Sequence, residues 1–306
     1  MRVLLTGASG FVGSYLLEAM VNSGIETITV GRHAPNASSK KTSHVHCDLL
    51  QEKDLPSLVK KTKVSHLLHC AWFAEHGAFW NSPINTRWVD ASLRLVEAFC
   101  SHGGERVVGV GTCAEYDWSY KCCQEATTPL NASSLYGASK DATRRLTEMI
   151  CKQHQVGFAW GRIFAPFGTG ENAQRLIPSL IRSIRGEAQP MGINTDIYRD
   201  YLHVSDVARA LTLLVTGEFQ GAYNISSGQP VQLGHIARSL AQVLGMQLEP
   251  ALLPRADFID PVSLLFGDNT KIKKLGWTQL ISLEAGLEMT ARAARNNTRK
   301  NSIERH

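Results

Sequence analysis

Three residues with complementary chemistry, Thr112, Tyr136 and Lys140, follow one another along the chain. On a helix, Tyr136 and Lys140 stand one turn apart on the same face, so the ammonium would lie near the phenol. A nearby cation lowers the pKa of a phenol, and Tyr136 could then exchange a proton with a substrate hydroxyl or carbonyl during hydride transfer. Thr112, at the end of a predicted strand, could hold the same oxygen. Taken alone, the Tyr–Lys pattern also fits an ordinary pair on a helix surface.

A glycine pattern near the start of the chain predicts a phosphate site. Gly7, Gly10 and Gly13 follow an apolar strand in the spacing G-x-x-G-x-x-G and precede a helical pattern. Gly7 suits the tight turn, Gly10 leaves room for a pyrophosphate, and Gly13 lets the helix pack closely on the strand. The helix N-terminus adds unpaired N–H groups. We therefore predict a dinucleotide site at Gly7, Gly10, Phe11, Val12 and Gly13; a glycine-rich turn that binds nothing is the alternative.

The residues after the second predicted strand bear on the choice of cofactor. That strand, Glu26–Val30, is followed by Gly31, Arg32 and His33. Units that bind NAD carry an acidic residue near this place, which accepts hydrogen bonds from the ribose hydroxyls. A cation suits a 2′-phosphate instead, so Arg32 predicts that NADP(H) is preferred, with NAD(H) possible.

Strands and helices alternate from residue 2 to residue 164, which predicts an α/β fold with a Rossmann-type, doubly wound parallel sheet. The predicted strands are Arg2–Thr6, Glu26–Val30, Ser43–Cys47, Val64–Ala71, Arg106–Val110 and Val156–Phe164, and the helices Phe11–Ser23, Val89–Ser101 and Ser133–His154. The loop Trp72–Trp88 is dense in aromatic residues, some of which could wall a site at the sheet edge. His66 and His69 are expected to belong to the core, and no metal site is predicted.

The alternation ends after Pro166, where glycines and prolines separate shorter helical patterns. These patterns cover Ala173–Arg185, Ser205–Thr216 and Gly234–Leu244. We therefore predict a dinucleotide-binding domain at 1–165, a smaller, mixed α/β C-terminal substrate-binding lobe at 166–291, and a frayed basic tail at 292–306.

Composition narrows the classes of partner. The chain has 306 residues and a net charge of +5, concentrated in the tail, so the nearly neutral body argues against nucleic acid. No apolar stretch reaches about 18 residues, which argues against a membrane protein. The seven cysteines show no C-x-x-C pattern, and Met1-Arg2 runs straight into a strand. We expect a soluble protein of the reducing cytoplasm.

The chain resembles the extended short-chain dehydrogenases/reductases, in particular the nucleotide-sugar epimerases, dehydratases and reductases. The residues that carry the resemblance are Thr6–Gly13, Asp48-Leu49, Gly111–Tyr116, Tyr136–Lys140, Arg162–Phe164, Arg199–Ala208, Tyr223–Gly228, Gly267-Asp268 and Leu275–Trp277. The match extends over residues 2–291, and the stretch R-D-Y-x-H-V-x-D-V-A is typical of the nucleotide-sugar members.

The resemblance implies further site residues. Asp48, Leu49, Ala71 and Phe164 would line the cofactor, together with Tyr136 and Lys140, which would bond the nicotinamide ribose. Trp72, Thr112, Arg199, Tyr201 and Arg255 would bind a nucleotide-sugar substrate, the two arginines by clamping its diphosphate. The predicted helices Val89–Ser101 and Ser133–His154 would pair across a two-fold axis to form a homodimer, with Leu146, Met149 and Ile150 available on the second helix.

Departures from the family pattern narrow the reaction. Sugar 4,6-dehydratases carry an Asp-Glu pair where this chain has Cys113 and Ala114, and Glu115 would point another way. The 4-epimerases usually carry Asn at the place of Ala165, and many have an acidic residue at Gly31. We therefore expect NADPH-dependent reduction of a 4-keto-6-deoxy sugar nucleotide. A 4-epimerase with recycled NAD and a non-catalytic sensor or scaffold remain the alternatives.

Overall fold

A parallel sheet forms the centre of the molecule. The computed structural model describes residues 1–36, 39–254 and 262–303. Within those ranges seven strands lie in the order β11-β7-β5-β4-β1-β2-β3, and all neighbours are parallel. Their bounds are β1 Arg2–Thr6, β2 Glu26–Gly31, β3 Thr42–His46, β4 His66–His69, β5 Arg106–Thr112, β7 Gly157–Ile163 and β11 Gly221–Ile225. This arrangement confirms the predicted Rossmann-type, doubly wound sheet.

Helices cover both faces of the sheet, which explains why its central strands, such as β1 and β5, are buried on both sides. The helices are α1 Phe11–Asn22 and α6 Val204–Thr216 on one face, and α2 Leu55–Thr62, α3 Ile84–Ser101 and α4 Leu135–Gln153 on the other. Leu5, Leu16 and Leu211 share the first core, and Leu4, Leu95 and Trp160 share the second. The carboxyl ends of the strands therefore meet at one edge, between the two helical layers.

A second lobe lies against that edge and has its own core. Its strands are β6 Cys122–Cys123, β8 Ala165–Phe167, β9 Met191–Ile193, β10 Tyr198–His203, β12 Pro230–Gln232, β13 Leu252–Pro254 and β14 Leu264–Gly267. Its helices are α5 Leu176–Ile184, α7 Leu233–Leu244 and α9 Leu283–Ile303, whereas α8 Thr270–Lys273 packs on β11 of the large sheet, with Ile272 in the first core. Strand β10 is central to it, with β8, β12 and β14 as partners. Leu180, Leu240 and Leu287 join α5, α7 and α9 in one apolar cluster.

The structure differs from the sequence-based elements in four places. Helix α2 carries no prediction, and α3 begins at Ile84, so Trp88 is helical rather than part of the aromatic loop. The chain returns to the large sheet at α6 and β11, within residues 166–291 that are expected to form the second lobe. Residues 292–303 continue α9 where a frayed tail is expected, because Leu287 and Ala291 anchor the preceding turns in the core.

Among the described residues, none of the helices has the length and apolarity that crossing a membrane requires. The same part of the chain contains no cluster of three or more His, Cys, Asp or Glu side chains suited to a metal ion.

Candidate active site

The glycine turn between β1 and α1 forms a cradle with no room for side chains. Gly7 has φ +75°, and a Cβ there would lie 2.7 Å from the Ala71 nitrogen. A Cβ at Gly13 would lie 1.9 Å from the Gly7 carbonyl oxygen. Gly10 is the N-cap of α1 and has no side-chain cap, so the first N–H groups of Phe11 and Val12 lack such a partner. These residues fit the pyrophosphate of a dinucleotide.

Arg32 and Asp48, which are predicted to line the cofactor, lie at the same edge of the sheet. Strands β2 and β3 pair up to Gly31 and His46, so Arg32 and Asp48 follow at neighbouring strand ends. Arg32 is exposed, and Asp48 is half-buried with its carboxylate accepting a hydrogen bond from the Leu50 nitrogen at 3.1 Å. Leu49 is buried in the core beneath α2. Arg32 is thus exposed at the carboxyl edge of the sheet.

Tyr136 is held at the first turn of α4 by the loop that follows β4. Ser134 caps the helix by accepting a hydrogen bond from the Gly137 nitrogen at 3.2 Å. Two further N–H groups of this turn bond to the aromatic loop: Leu135 donates to Asn81 Oδ1 at 3.2 Å, and Tyr136 donates to the Trp80 carbonyl at 2.9 Å. Because the loop satisfies donors that a helix start leaves open, it fixes the position of the Tyr136 backbone.

Gly137 brings α4 against the end of β5, a role that the motif alone does not reveal. A Cβ at position 137 would lie 2.1 Å from the Ala114 carbonyl oxygen, so only glycine fits. Ala114 belongs to the 3-10 turn Cys113–Glu115 that directly follows Thr112. The close approach therefore places the start of α4 beside the end of β5, where Thr112 lies.

The electrostatics of Tyr136 differ from the expected arrangement. Burial raises the pKa of the Tyr136 phenol, and the Thr112 side chain acts in the opposite direction by hydrogen bonding. Lys140 is buried, and its ammonium donates to the Val110 carbonyl at 2.9 Å and lies 4.0 Å from the centre of the Trp72 ring. Burial lowers the pKa of Lys140 to about 8. The ammonium is thus engaged by Val110 and Trp72 one turn away from the phenol.

Aromatic rings enclose Tyr136. Phe79 stands edge-to-face on it at 4.9 Å between ring centres, and Trp80 does so at 5.9 Å. Trp80 also meets Trp118 at 6.1 Å and is 39% exposed. Trp72, which is predicted to bind substrate, donates its indole N–H to Asn85 Oδ1 at 2.8 Å and stacks on Trp88.

Glu115 is withdrawn from the site, in line with the orientation expected of it. Its carboxylate accepts hydrogen bonds from the Thr112 nitrogen at 2.9 Å, from Trp160 Nε1 at 2.9 Å and from Arg162 Nε at 2.6 Å. The neighbouring Cys113 carries a thiol whose pKa burial raises to about 12. Neither position 113 nor position 114 therefore offers the acid or base that dehydration requires.

The second lobe faces Cys113 through β10. Arg199 and Tyr201 are two residues apart on this strand, so their side chains point to the same side. Arg199 is close enough to oppose the raised pKa of the Cys113 thiol and that of the Tyr201 phenol. Between them, Asp200 is buried and accepts hydrogen bonds from the nitrogens of Ser227, Gly228 and Gly267, which makes it a structural anchor. Arg255 lies outside the described residues.

An ion pair between a buried carboxylate and a partly exposed arginine, which the sequence analysis missed, lies just before α5. Glu171 Oε1 lies 2.9 Å from Arg175 Nε, while Glu171 Oε2 is buried without a hydrogen-bond partner. Burial raises the pKa of Glu171 to about 7 despite the opposing charge of Arg175. Arg175 also acts to lower the pKa of Tyr136 and of Tyr201, so its charge is felt at both phenols. The E-x-x-x-R spacing after Gly170 was the available signal.

Phe164 and His69, two further residues singled out in the sequence, are buried among other side chains. Phe164, expected at the cofactor, has its side chain buried in a small cluster with Tyr116, Cys123 and Leu265. His69 is buried and bonded to Thr6 and Ser92, each at 2.8 Å, and burial lowers the pKa of its ring to about 3. His69 is therefore a neutral structural residue.

Comparison with known proteins gives one family and several relatives. The model of the NAD dependent epimerase/dehydratase family matches residues 3–226. The UDP-glucose 4-epimerase of Streptomyces lividans is 24% identical over 300 residues, which cover 90% of this chain and 91% of that protein. The dTDP-4-dehydro-6-deoxy-D-allose reductase of Streptomyces bikiniensis is 25% identical over 322 residues, which cover 97% of this chain and 97% of that protein.

A solved structure extends the likeness to three dimensions. MoeE5 in complex with UDP-glucose and NAD has a TM-score of 0.84 and 28% identity, and the match covers 97% of this chain and all of that one. MoeE5 has also been solved with UDP-glucuronic acid and NAD.

Proposed function

The chain belongs to the NAD dependent epimerase/dehydratase family, and within that family of nucleotide-sugar enzymes we propose that it reduces a 4-keto-6-deoxy sugar nucleotide with NADPH. The proposal rests on the lack of a free acid–base pair at residues 113–115. Cys113 and Ala114 supply no acid–base pair, and Glu115 is occupied by Arg162 and Trp160. Elimination of water has no catalyst here, whereas Tyr136 and Thr112 remain as proton donor and oxygen ligand for a ketone.

Each catalytic side chain has a defined task in this scheme. Thr112 holds the carbonyl oxygen at C4, and Tyr136 transfers its phenolic proton to that oxygen as it becomes a hydroxyl. The raised pKa of Tyr136 suits an acid that must keep its proton until this step. The ammonium of Lys140 binds the ribose next to the nicotinamide. A nicotinamide cofactor held by the glycine turn and Lys140 would supply the hydride.

The preference for NADPH rests on Arg32. The guanidinium is exposed just beyond β2, where a 2′-phosphate would receive a charge-assisted hydrogen bond. Asp48, Leu49 and Ala71 complete the cofactor side of the proposed site.

The second lobe supplies the substrate side. We assign binding of the sugar nucleotide to Arg199 and Tyr201 on β10 and to Arg255. Residues 1–165 would then bind the cofactor and residues 166–291 the substrate, except that α6 and β11 return to the large sheet. The described cysteines are free, which suits the reducing cytoplasm. Exposed Leu146 and Met149 on α4 support a homodimer.

A 4-epimerase with recycled NAD is the second candidate. It is favoured by the relatives named UDP-glucose 4-epimerase and by the NAD in the MoeE5 complexes. In such an enzyme the cofactor would return to its starting state after each turnover.

The deciding experiment supplies NADPH and, in turn, several 4-keto-6-deoxy sugar nucleotides carrying dTDP, UDP or GDP. The absorbance of the reduced nicotinamide reports consumption, and mass spectrometry reports the product. Loss of one NADPH for each sugar reduced is the expected result. Interconversion of two sugar nucleotides without net change in cofactor would instead establish an epimerase, and binding without either reaction would establish a sensor.

A further inference from the structure

The ammonium of Lys140 is buried and donates one hydrogen bond to an oxygen of the described residues. The residue is 4% exposed, and its Nζ donates to the Val110 carbonyl at 2.9 Å. A lysine ammonium has three N–H donors and loses its hydration on burial, so a single carbonyl is a weak replacement for water. Over the same Nζ lies the face of the Trp72 indole, 4.0 Å away at its centre.

Trp72 is locked in that position from two sides. Its indole N–H donates to Asn85 Oδ1 at 2.8 Å, and its ring stacks on Trp88 with centres 6.1 Å apart. Asn85 is itself fully buried and fixed, since its amide group donates to the carbonyls of Phe79 and Ser82 at 2.7 and 2.9 Å. The ring therefore presents its face to Lys140 without the freedom to turn away.

The titratable groups that face Lys140 from the described elements around it supply little compensating charge. His69 and Cys70, at the end of β4, are neutral at pH 7, since burial lowers the pKa of His69 to about 3 and raises that of Cys70 to about 11. Glu115, after β5, acts on Lys140 in the favourable direction, but its carboxylate is engaged by Arg162. Tyr136, on α4 itself, keeps its proton because burial raises its pKa.

We propose that Trp72 is a positioning residue that keeps the Lys140 ammonium charged and in place through a cation–π contact, and that it does not serve as a wall for the substrate. The negative face of an indole attracts a desolvated ammonium, and the attraction is strongest where water is excluded. The contact opposes the desolvation that otherwise lowers the pKa of Lys140 toward neutrality. The proposal rests on the proposed function only in placing Lys140 in the active site.

The test reduces the negative charge on the face of the Trp72 ring without changing the shape of the ring. Mono-, di- and tetrafluorotryptophan are introduced at position 72 by nonsense suppression, which retains the N–H donor to Asn85 and nearly the same volume. The pKa of Lys140 is followed in the protein alone by NMR of ¹³Cε-labelled lysine, with the signal assigned by its loss in Lys140→Arg. We expect the pKa of Lys140 to fall stepwise with each fluorine, by about one unit across the series.

One control variant separates this outcome from others. Tetrafluorotryptophan at Trp277, a buried indole bonded to the Asp206 carbonyl, should leave the pKa of Lys140 unchanged. A pKa of Lys140 that stays constant across the series at position 72 overturns the proposal. Because neither substrate nor cofactor is present, this result is independent of whether the enzyme is a reductase.

A kinetic measurement distinguishes the two roles of Trp72 once a substrate is known. In Trp72→Phe the cation–π contact is weaker, which should lower the pKa of Lys140. The limb of the pH profile of kcat that reports Lys140 should therefore move to lower pH, with KM unchanged. A rise in KM with an unmoved pH profile would show instead that Trp72 binds the sugar nucleotide, and would also overturn the proposal.

Discussion

The Glu115 Oε2 atom lies 2.6 Å from Arg162 Nε, and both side chains are excluded from solvent. Glu115 Oε1 accepts from Trp160, and Arg162 also donates to the Tyr116 hydroxyl at 3.0 Å. The pair joins the turn after β5 to β7, directly beneath Thr112. A carboxylate that stands near the catalytic residues in sequence is thus part of the scaffold that positions them.

Removal of the Glu115 carboxylate should destabilise the protein strongly. Glu115→Ala leaves a buried guanidinium without its partner, which typically costs about 3–5 kcal/mol in the free energy of unfolding. Glu148→Ala is the matched control, because the Glu148 side chain is 46% exposed and its partner Arg144 keeps a second ion pair with Asp141, so the change should cost less than about 1 kcal/mol. Urea denaturation measures both, and equal losses would contradict the structural role of Glu115.

The parts of the site that the sequence predicted depend on local patterns. Spacing fixes Gly7 and Gly13 because the turn and the helix that follow are contiguous in the chain, and the structure shows the close contacts that the spacing requires. Tyr136 and Lys140 share α4 for the same reason.

The parts that escaped prediction depend on contacts between distant segments. The need for Gly137 arises from the Ala114 carbonyl, and the place of Trp72 over Lys140 arises from the path of the loop that Asn85 holds. The return of β11 to the large sheet follows from its pairing with β7, which a short apolar stretch does not reveal. None of these has a periodic signature in the sequence.

The stability of the protein should depend on the ionisation of Glu171. Burial raises its pKa in the folded state to about 7, above the usual value of 4.5, so the folded protein holds a proton that the unfolded chain releases. Stability should therefore fall as the pH rises from about 4.5 to about 7, by about 3 kcal/mol, and remain level above that range.

The variant Glu171→Gln should remove this dependence. Its free energy of unfolding relative to the native protein should rise by about 2.5 kcal/mol between pH 5 and pH 8, as measured by urea denaturation. Glu75→Gln, at an exposed carboxylate in the loop after β4, provides the control and should show no such change. If the difference between Glu171→Gln and the native protein is the same at both pH values, Glu171 has no raised pKa.

Assembly should depend on the exposed apolar face of α4. Leu146 and Met149 are 47% and 60% exposed, whereas Ile150 packs into the core. The double change Leu146→Glu with Met149→Glu should convert a dimer into a folded monomer, since charges at an apolar interface lose their hydration without partners. Light scattering at micromolar concentration gives the mass. Leu280→Glu, at another exposed leucine, should leave the mass unchanged, and a native protein that is already monomeric would refute the dimer.

Cofactor preference should follow the charge at position 32. Arg32→Asp replaces a phosphate ligand by a ribose acceptor, so NADPH should bind about 10- to 100-fold more weakly and NADH more tightly. Titration of nicotinamide fluorescence measures both. Arg182→Asp changes the same charge on α5 and should affect neither cofactor differentially. Equal affinities of the native protein for NADPH and NADH would rule out the role of Arg32.

The catalytic assignment predicts different outcomes for Tyr136 and Lys140. Tyr136→Phe removes a hydroxyl while the ring contacts with Phe79 and Trp80 persist, so the fold and cofactor affinity should be retained. Its kcat should fall by about 10²- to 10⁴-fold, the contribution of a positioned acid. Lys140→Ala should lower kcat and also weaken cofactor binding, because the ammonium serves both. Tyr120→Phe, at an exposed tyrosine near the site, should be neutral; retention of activity in Tyr136→Phe would mean that another group donates the proton.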